Sequence, residues 1–262
     1  MARRWNKTEE NFYRDKLKDL YVKQNKTIAE IGFHLKVSEK TVFDRLKRLG
    51  ISTNPKGKVR YCNRSRTVTV PNARSAKLAE FYGIMLGDGH ISRFQIVATL
   101  GTKELNYVKY VAALMNELFD AEPTVLVRKD GYRDVYFGSV DLIKYLKVDG
   151  FVTNKVKYQV DIPRWIFDKP EWMKYFVRGF FDTDGSVYQL RFGIQVSFTN
   201  KSARLLISLH KMLIALGYNP SAISADRIYL TRRNDLTRFF SEVKPANTKH
   251  CRRYQHFVSV DT

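Results

Sequence analysis

Only two cysteines, Cys62 and Cys251, stand in 262 residues. That is too few for a disulfide framework and fits a reducing compartment. No run of about 18 apolar residues occurs, which excludes a membrane-spanning helix. The opening MARRW leads into a charged stretch rather than an apolar leader core. A non-secreted, intracellular protein is therefore expected, with cytoplasm, nucleoid and organelle not distinguished. The ends, MARRW and VSVDT, carry none of the nucleophiles that a self-splicing element needs at its junctions. No Gly-rich phosphate loop and no GxSxG elbow is present. His250, Cys251 and His256 do not make a zinc spacing, and there is no CxxC. Acidic residues are also scarce, 26 against 46 basic ones.

That imbalance gives a formal net charge of +20 and a pI near 9.9. It points to a polyanionic partner, nucleic acid ahead of an anionic membrane. The hydrophobic fraction is 44% and the aromatic fraction 13%, so the charge decorates a folded body rather than a disordered tail. The charge is uneven. Residues 1–75 hold 19 basic and 7 acidic side chains, a net of +12, and the remainder a net of +8.

The most informative stretch is residues 172–187, WMKYFVRGFFDTDGSV. Phe176, Phe180 and Phe181 cover one broad face of a helix. Gly179 lies in mid-pattern, where glycine costs roughly 1 kcal/mol against alanine, so a second backbone is expected to approach there. The helix is expected to end at Asp182-Thr183-Asp184-Gly185, with Gly185 as its C-cap. Carboxylates at that end face the negative pole of the helix dipole, an arrangement that suits a bound cation. The same pattern occurs at residues 76–91, AKLAEFYGIMLGDGHI, where Gly83, Asp88 and Gly89 match Gly179, Asp184 and Gly185 at a spacing of 96 residues. The two copies, FYGIMLGDG and VRGFFDTDG, resemble the paired motifs of a single-chain LAGLIDADG homing endonuclease.

Ahead of these motifs, residues 9–24 show helical spacing of Phe12, Leu17, Leu20 and Tyr21. Thr27 and Glu30 form a capping box for a short helix with Ile28, Ile31 and Leu35 inward. Lys36-Val37 makes a turn, and Ser38 caps a third helix with Val42, Leu46 and Leu49 inward and Gly50 as its stop. This arrangement resembles a tri-helical helix-turn-helix. Its third helix would expose Glu39, Lys40, Thr41, Phe43, Asp44, Arg45, Lys47 and Arg48. Glu39, Lys40 and Thr41 are candidates for base edges, and Arg45 and Arg48 for phosphates. Packing against the rest of the chain or a partner is the alternative use of this unit. The basic stretch that follows, with Lys56, Lys58, Arg60, Arg64, Arg66 and Arg74, is expected either to lie along phosphates or to act as a solvated tether.

From residue 76 the chain reads twice. Lys103 pairs with Lys201, Pro123 with Pro220, and Asp141-Leu142 with Asp235-Leu236, at offsets of 98, 97 and 94. This internal duplication predicts an α+β fold of two pseudo-symmetric αββαββα lobes behind a small all-α domain. The expected boundaries are 1–52 for the helix-turn-helix, 53–75 for the basic linker, 76–162 for the first lobe and 163–262 for the second. Residues 150–170 join the lobes, and their pieces Asn154-Lys155-Val156 and 162–166 are similar to the usual connection in that family. The basic tail from Lys244 is expected to pack back across a lobe.

If the motif helices pack through Gly83 and Gly179, Asp88 and Asp184 converge. Two carboxylates so placed repel one another. Mg²⁺ suits them, with the carbonyls of Gly87 and Thr183 as further ligands. A metal there would polarise a phosphate and acidify a bound water. By resemblance, Lys103 and Lys201 match basic residues near the scissile phosphates, with a solvated helix-start lysine as the alternative. The resemblance also implies one cut per strand and short 3′ overhangs. Asp182, opposite Leu86, is expected to be structural. Hairpin side chains alternating toward a major groove are candidates for base contact: Ser92, Arg93, Gln95 and Thr99 in the first lobe, and Tyr188, Gln189, Arg191, Gln195 and Ser197 in the second. The first hairpin is the shorter. Arg128, Lys129, Arg133, Arg232 and Arg233 are candidate phosphate clamps.

The reading favoured is a monomeric, Mg²⁺-dependent, site-specific double-stranded DNA endonuclease of the intron-homing kind. The alternative is a binding protein of the same fold, an RNA-splicing maturase or a transcriptional regulator, in which RNA or DNA is bound without cleavage.

Overall fold

A computed structural model describes residues 6–24, 26–51, 53 and 68–260. The chain divides into two compact units, Met1–Ser65 and Arg66–Thr262. Lys58, Arg60, Arg64 and Arg66, together with most of the basic linker, lie outside the described residues.

In the first unit, α1 (Lys7–Lys18) starts two residues ahead of the hydrophobic pattern. Asn6 and Glu9 form a reciprocal capping box there, a signal the apolar spacing does not carry. Regular α-helix ends at Lys18 and passes into a π-helical turn, Asp19–Lys23. Phe12 does not join the core. It is 62% exposed and lies beneath the Lys16 ammonium. Helices α2 (Ile28–Leu35) and α3 (Glu39–Arg48) begin at Thr27 and Ser38, whose hydroxyls accept from the backbone amides of Glu30 and Thr41. Between them Lys36 adopts the left-handed conformation at φ 52°. A Cβ on Gly32 would meet the Val37 carbonyl at 2.8 Å, so glycine permits this close turn. Leu17, Leu20, Ile31, Val42, Leu46 and Leu49 form the core of the unit.

The second unit is built on α4 (Ala76–Leu86) and α7 (Pro170–Asp184). Every residue of α4 from Leu78 to Leu86 is buried. A helix buried all round needs no polar face, which accounts for its nearly unbroken apolar sequence. The helices touch backbone to backbone. A Cβ on Gly83 would lie 2.7 Å from the amide nitrogen of Phe180, and one on Gly179 would lie 3.0 Å from that of Ile84. Phe176 and Phe180 are fully buried beside this contact, and Phe181 is fully buried against Phe198, Phe239 and His250.

Each long helix is followed by a hairpin and two further helices. After α4 come β1 (Gly89–Ile91), β2 (Gln95–Leu100), α5 (Leu105–Phe119), β3 (Thr124–Val127), β4 (Arg133–Gly138) and α6 (Val140–Val148). The strands form an antiparallel sheet in the order β1-β2-β4-β3. After α7 come β5 (Gly185–Leu190), β6 (Gly193–Thr199), α8 (Ala203–Ala215), β7 (Arg227–Leu230) and α9 (Arg233–Glu242), with sheet order β5-β6-β7. The duplication therefore holds, but the second lobe is a strand short. Residues 222–224, where the αββαββα repeat calls for a strand, make only an isolated bridge between Ser224 and Arg227. Pro220 has no amide to offer a ladder, and Ala225 at φ 53° turns the chain back within the space a strand would need. Finally α10 (Thr248–Val260) packs against β5 and β6, with Tyr254 stacked 4.0 Å from Phe240.

Of two local expectations, one holds and one is corrected. Gly185 is the C-cap of α7 as expected, with an extended backbone at φ −94°. Glycine is needed there because a Cβ would strike the Phe181 ring and carbonyl. Lys103 and Lys201 do not open helices, since α5 and α8 start at Leu105 and Ala203. Among the described residues no helix is long and apolar enough to cross a membrane.

Because the α4–α7 contact is backbone on backbone, neither glycine has room to grow. Gly83→Ala and Gly179→Ala are each expected to destabilise the protein by about 1–3 kcal/mol through overpacking, measured by urea unfolding. Gly50→Ala, at a position with no atom within 4 Å of the added Cβ, carries only its left-handed strain and serves as the comparison.

Candidate active site

The close approach at Gly83 and Gly179 carries both helices to a common end. Gly87 ends α4 and Asp88 follows it, while Asp184 is the last residue of α7. A Cβ on Gly87 would lie 3.4 Å from the carboxyl carbon of Asp184 and 2.9 Å from the Thr183 Cβ. The two helix ends therefore abut, and the residues at their join are Gly87, Asp88, Thr183 and Asp184. Thr183 turns its hydroxyl back to the carbonyls of Gly179 and Phe180, so its hydroxyl serves its own helix.

Burial raises the pKa of Asp184 to about 7, opposed by the Asn200 amide, which donates to Oδ2 at 2.8 Å, and reinforced by the charge of Asp88. Asp88 keeps contact with solvent, yet the protein crowding its other sides also raises its pKa. Lys155 and Lys249 oppose that shift and Glu104 adds to it.

Lys155 is the principal residue that the motif reading did not assign. It reaches from the segment joining the lobes and donates to the carbonyl oxygens of Met85 at 3.1 Å, Leu86 at 3.0 Å and Gly87. These are the unpaired carbonyls at the end of α4, the negative pole of its dipole. Both aspartates act on the same ammonium, which burial otherwise drives toward neutrality. A signal existed in the sequence: Lys155 and Lys249 are 94 residues apart, the offset of Asp141 and Asp235. The two lysines are not used alike. Lys249 is ion-paired with Glu104, and Asn247 donates to the Asp182 carbonyl and to Glu104. Asp182 itself is 1% exposed and accepts from the amides of Ala246 and Asn247, tying the start of the C-terminal segment to α7. Lys103 and Lys201 are exposed in the turns before α5 and α8, and neither is among the charges that act on Asp88 or Asp184.

The donor set suits an oxygen-seeking divalent cation. Two carboxylates act on one another's charge at the joined helix ends, and three α4 carbonyls already converge on a cation, the Lys155 ammonium. Among the described residues no three His, Cys, Asp or Glu side chains cluster as metal ligands, so the remaining positions would fall to carbonyls, water or substrate oxygens. This matches the incomplete protein cage in which Mg²⁺ is usually held.

The sheets sort the remaining candidates. In the second hairpin Val187 pairs with Val196 on the core side, while Tyr188 pairs with Gln195, and Ser186 with Ser197, on the other side. Tyr188 and Gln189 are exposed and Gln195 is half-buried, but Ser197 is 1% exposed and is withdrawn from the candidate surface. In the first hairpin Gln95 is exposed on the face away from the core, and Thr99 on that face is held by Asp134 at 2.7 Å. Arg93, Arg191, Arg232 and Arg233 are exposed. Arg128 pairs with Asp130, and Arg133 donates to the Thr102 carbonyl. Arg74 is no free linker charge, since it grips Asp149 through both terminal nitrogens and lies over the Trp165 ring. In the first unit Lys40 is exposed, Thr41 shares a hydrogen bond with Ser38, Arg45 lies 5.7 Å from the Tyr13 ring and Arg48 pairs with Glu10.

A carboxyl whose pKa is higher in the folded than in the unfolded chain binds more protons when folded. Stability therefore falls as pH rises from about 4 to about 7. Without divalent metal at about pH 8, Asp184→Asn is expected to be more stable than the parent by about 1–3 kcal/mol. The difference should vanish near pH 4, as read from melting curves across that range.

Comparison with known proteins bears on this centre. The LAGLIDADG-like domain matches residues 171–244. A replication factor C small subunit from Methanocaldococcus jannaschii is 32% identical over 114 residues, which are 42% of this chain and 6% of that protein. Among solved structures, the homing endonuclease I-DmoI in complex with DNA and Mn is 18% identical at a TM-score of 0.49, covering 64% of this chain and 96% of its own. Full-length DUF199/WhiA from Thermatoga maritima is 15% identical at 0.48, covering 71% and 61%. The homing endonuclease I-WcaI bound to its DNA recognition sequence is 15% identical at 0.43, covering 65% and 81%. The matched segment holds α7, the second hairpin and Asp184, and through it the chain carries a LAGLIDADG-like domain.

Proposed function

We propose that this chain is a site-specific, divalent-metal-dependent endonuclease acting on double-stranded DNA. The observation that carries the reading is the pair of carboxylates, Asp88 and Asp184, placed together at the ends of two helices in a chain of net charge +20. A bound Mg²⁺ or similar ion would supply Lewis-acid polarisation of a phosphate and a more acidic water. The chain supplies the rest. Asp88, Asp184 and the carbonyls of Gly87 and Thr183 would hold such an ion. Lys155 places a positive charge where a scissile phosphate would gain negative charge, and Lys103 and Lys201 are the exposed cations in the turns beyond each hairpin. The pseudo-two-fold gives each strand of a duplex its own aspartate. Tyr188, Gln189 and Gln195 of one sheet and Gln95 of the other are assigned to base edges. Arg128, Arg133, Arg232 and Arg233 are assigned to phosphates. The helical unit of residues 1–52 adds a helix-turn-helix contact through Lys40, Thr41, Arg45 and Arg48.

A second reading is a DNA- or RNA-binding protein of the same fold that does not cut. One observation favours it: the Lys155 ammonium already sits on the Gly87 carbonyl, so the carboxylates have a counterion without metal.

The test is incubation with a randomised duplex pool in Mg²⁺ and in EDTA. Double-strand scission of the enriched sequences only with metal is the expected result. Asp88→Asn and Asp184→Asn should each lower scission by about 10²–10³-fold and leave binding in EDTA intact. Enrichment with no scission in either Mg²⁺ or Mn²⁺ would establish the binding protein instead.

A further inference from the structure

Two related lysines stand at the joined helix ends and are put to different uses. Lys155 and Lys249 lie 94 residues apart, at an offset of the duplication. Lys155 donates to the carbonyls that end α4, that of Gly87 among them. The same placement in the second lobe would set Lys249 on the end of α7. Its ammonium instead crosses to the first lobe and pairs with Glu104. Lys249 accordingly acts on Asp88, while Asp184 meets Lys155 and Asn200.

Glu104 is fixed for this hold. Its carboxylate accepts from the Gly101 amide at 3.1 Å and from the Asn247 side chain at 3.2 Å, and Asn247 also donates to the Asp182 carbonyl. Of the pair, the acid is the inner member: the Glu104 side chain is 14% exposed and that of Lys249 38%. The ammonium is therefore open to solvent near Asp88. The duplication shows what is particular to the first lobe. The counterpart of Glu104, 98 residues on, is Ser202, which is buried and spends its hydroxyl on the Val160 carbonyl at 2.6 Å. Lys155 thus has no matching acid to draw it away from α4. Fastening the lobes is the plain use of the Glu104–Lys249 pair, but it is a small one. A partly exposed ion pair contributes little to stability, and α4 and α7 are already joined backbone to backbone. The electrostatic effect is the larger, because a carboxylate on an ammonium cancels the charge that a phosphate would meet.

We propose that Glu104 withholds Lys249 from DNA: the carboxylate takes the place of a backbone phosphate on the ammonium, so that of the two related lysines only Lys155 serves the centre. This rests on the DNA reading given above and adds a restraint to it. Glu104 is a positioning residue, acting through Lys249 rather than on the duplex itself. In a chain of net charge +20, one cation fewer toward phosphate lowers affinity for every duplex alike, whatever its sequence.

The test measures duplex affinity against salt concentration in EDTA, on a duplex that the parent chain enriches from a randomised pool and on an unselected one. The proteins are the parent, Glu104→Gln, and Glu104→Gln combined with Lys249→Met. Glu104→Gln frees the ammonium and keeps the shape of the side chain. Its salt slope should steepen by about 1, and at about 0.1 M salt it should bind both duplexes roughly tenfold more tightly. The double variant should return to the parent's slope. Glu117→Gln is the control. It frees Lys77 in the same way, but at the start of α4, roughly 16 Å along the helix from Asp88, and should leave the slope as it was. Glu104→Ser, which gives the first lobe the residue of the second, takes the same measurement should melting curves show that the glutamine variant does not fold. An unchanged slope in a folded Glu104 variant, a double variant as steep as Glu104→Gln, or equal steepening in Glu117→Gln would each overturn the withholding of Lys249 and leave the DNA reading standing. A parent chain that binds neither duplex would reject the DNA reading and this inference with it.

Discussion

The contact between the backbones of α4 and α7 at Gly83 and Gly179 governs this molecule. With a side chain at either position the helices would stand further apart, and their last turns would no longer abut. The cost of glycine inside two helices is accepted because the large apolar faces around the contact, Phe176 and Phe180 among them, close over it. The same approach buries Glu80, which is held by the Tyr110 hydroxyl and lies 3.6 Å from Arg178. An acidic group at such a depth is tolerable because it is paired, and burial raises its pKa even so.

Bringing two helix C-termini together concentrates negative potential from carbonyls and carboxylates alike. The chain meets this with cations from segments remote in sequence. Lys155 comes from the connection between the lobes and Lys249 from the beginning of α10. The duplication has drifted here. One lysine caps α4, while its counterpart is held by Glu104, whose own counterpart 98 residues on is Ser202. Asn200 supports Asp184, and Thr102 stands at the same offset in the first lobe. The two halves of the centre thus share a frame and differ in the polar groups around it.

Much of this was legible because the chain states it twice. The glycine and aspartate positions, the order of helices and strands and the caps at Thr27 and Ser38 follow from local chemistry and repetition. What escaped depended on long-range placement. In the sequence Lys155 stands only as part of the connection between the lobes, and its grip on the end of α4 shows only once that segment is folded over the helix. Ser197 looks outward by alternation, yet the lobe covers it. Residues 222–224 have strand-like composition, but the turn at Ala225 leaves them a single bridge, Ser224 to Arg227, rather than a ladder. Phe12 follows helical spacing, yet the small core of the first unit is already filled by Leu17 and Leu20. Local pattern sets which way a residue could face, and the volume available decides whether it does.

Each hairpin begins at the glycine directly after the aspartate, and that glycine is pinned by the preceding helix turn, Met85 in one case and Phe181 in the other. Gly89 pairs with Ala98 and Gly185 with Phe198, so the second ribbon is longer by two residues in each arm while its base is unchanged. The ribbon is in effect a measuring rod with a fixed origin. Length can be gained or lost at the far end in paired steps without disturbing the acids at the near end. A lineage carrying this architecture can lengthen one ribbon and leave the other ribbon, and the paired aspartates, as they were.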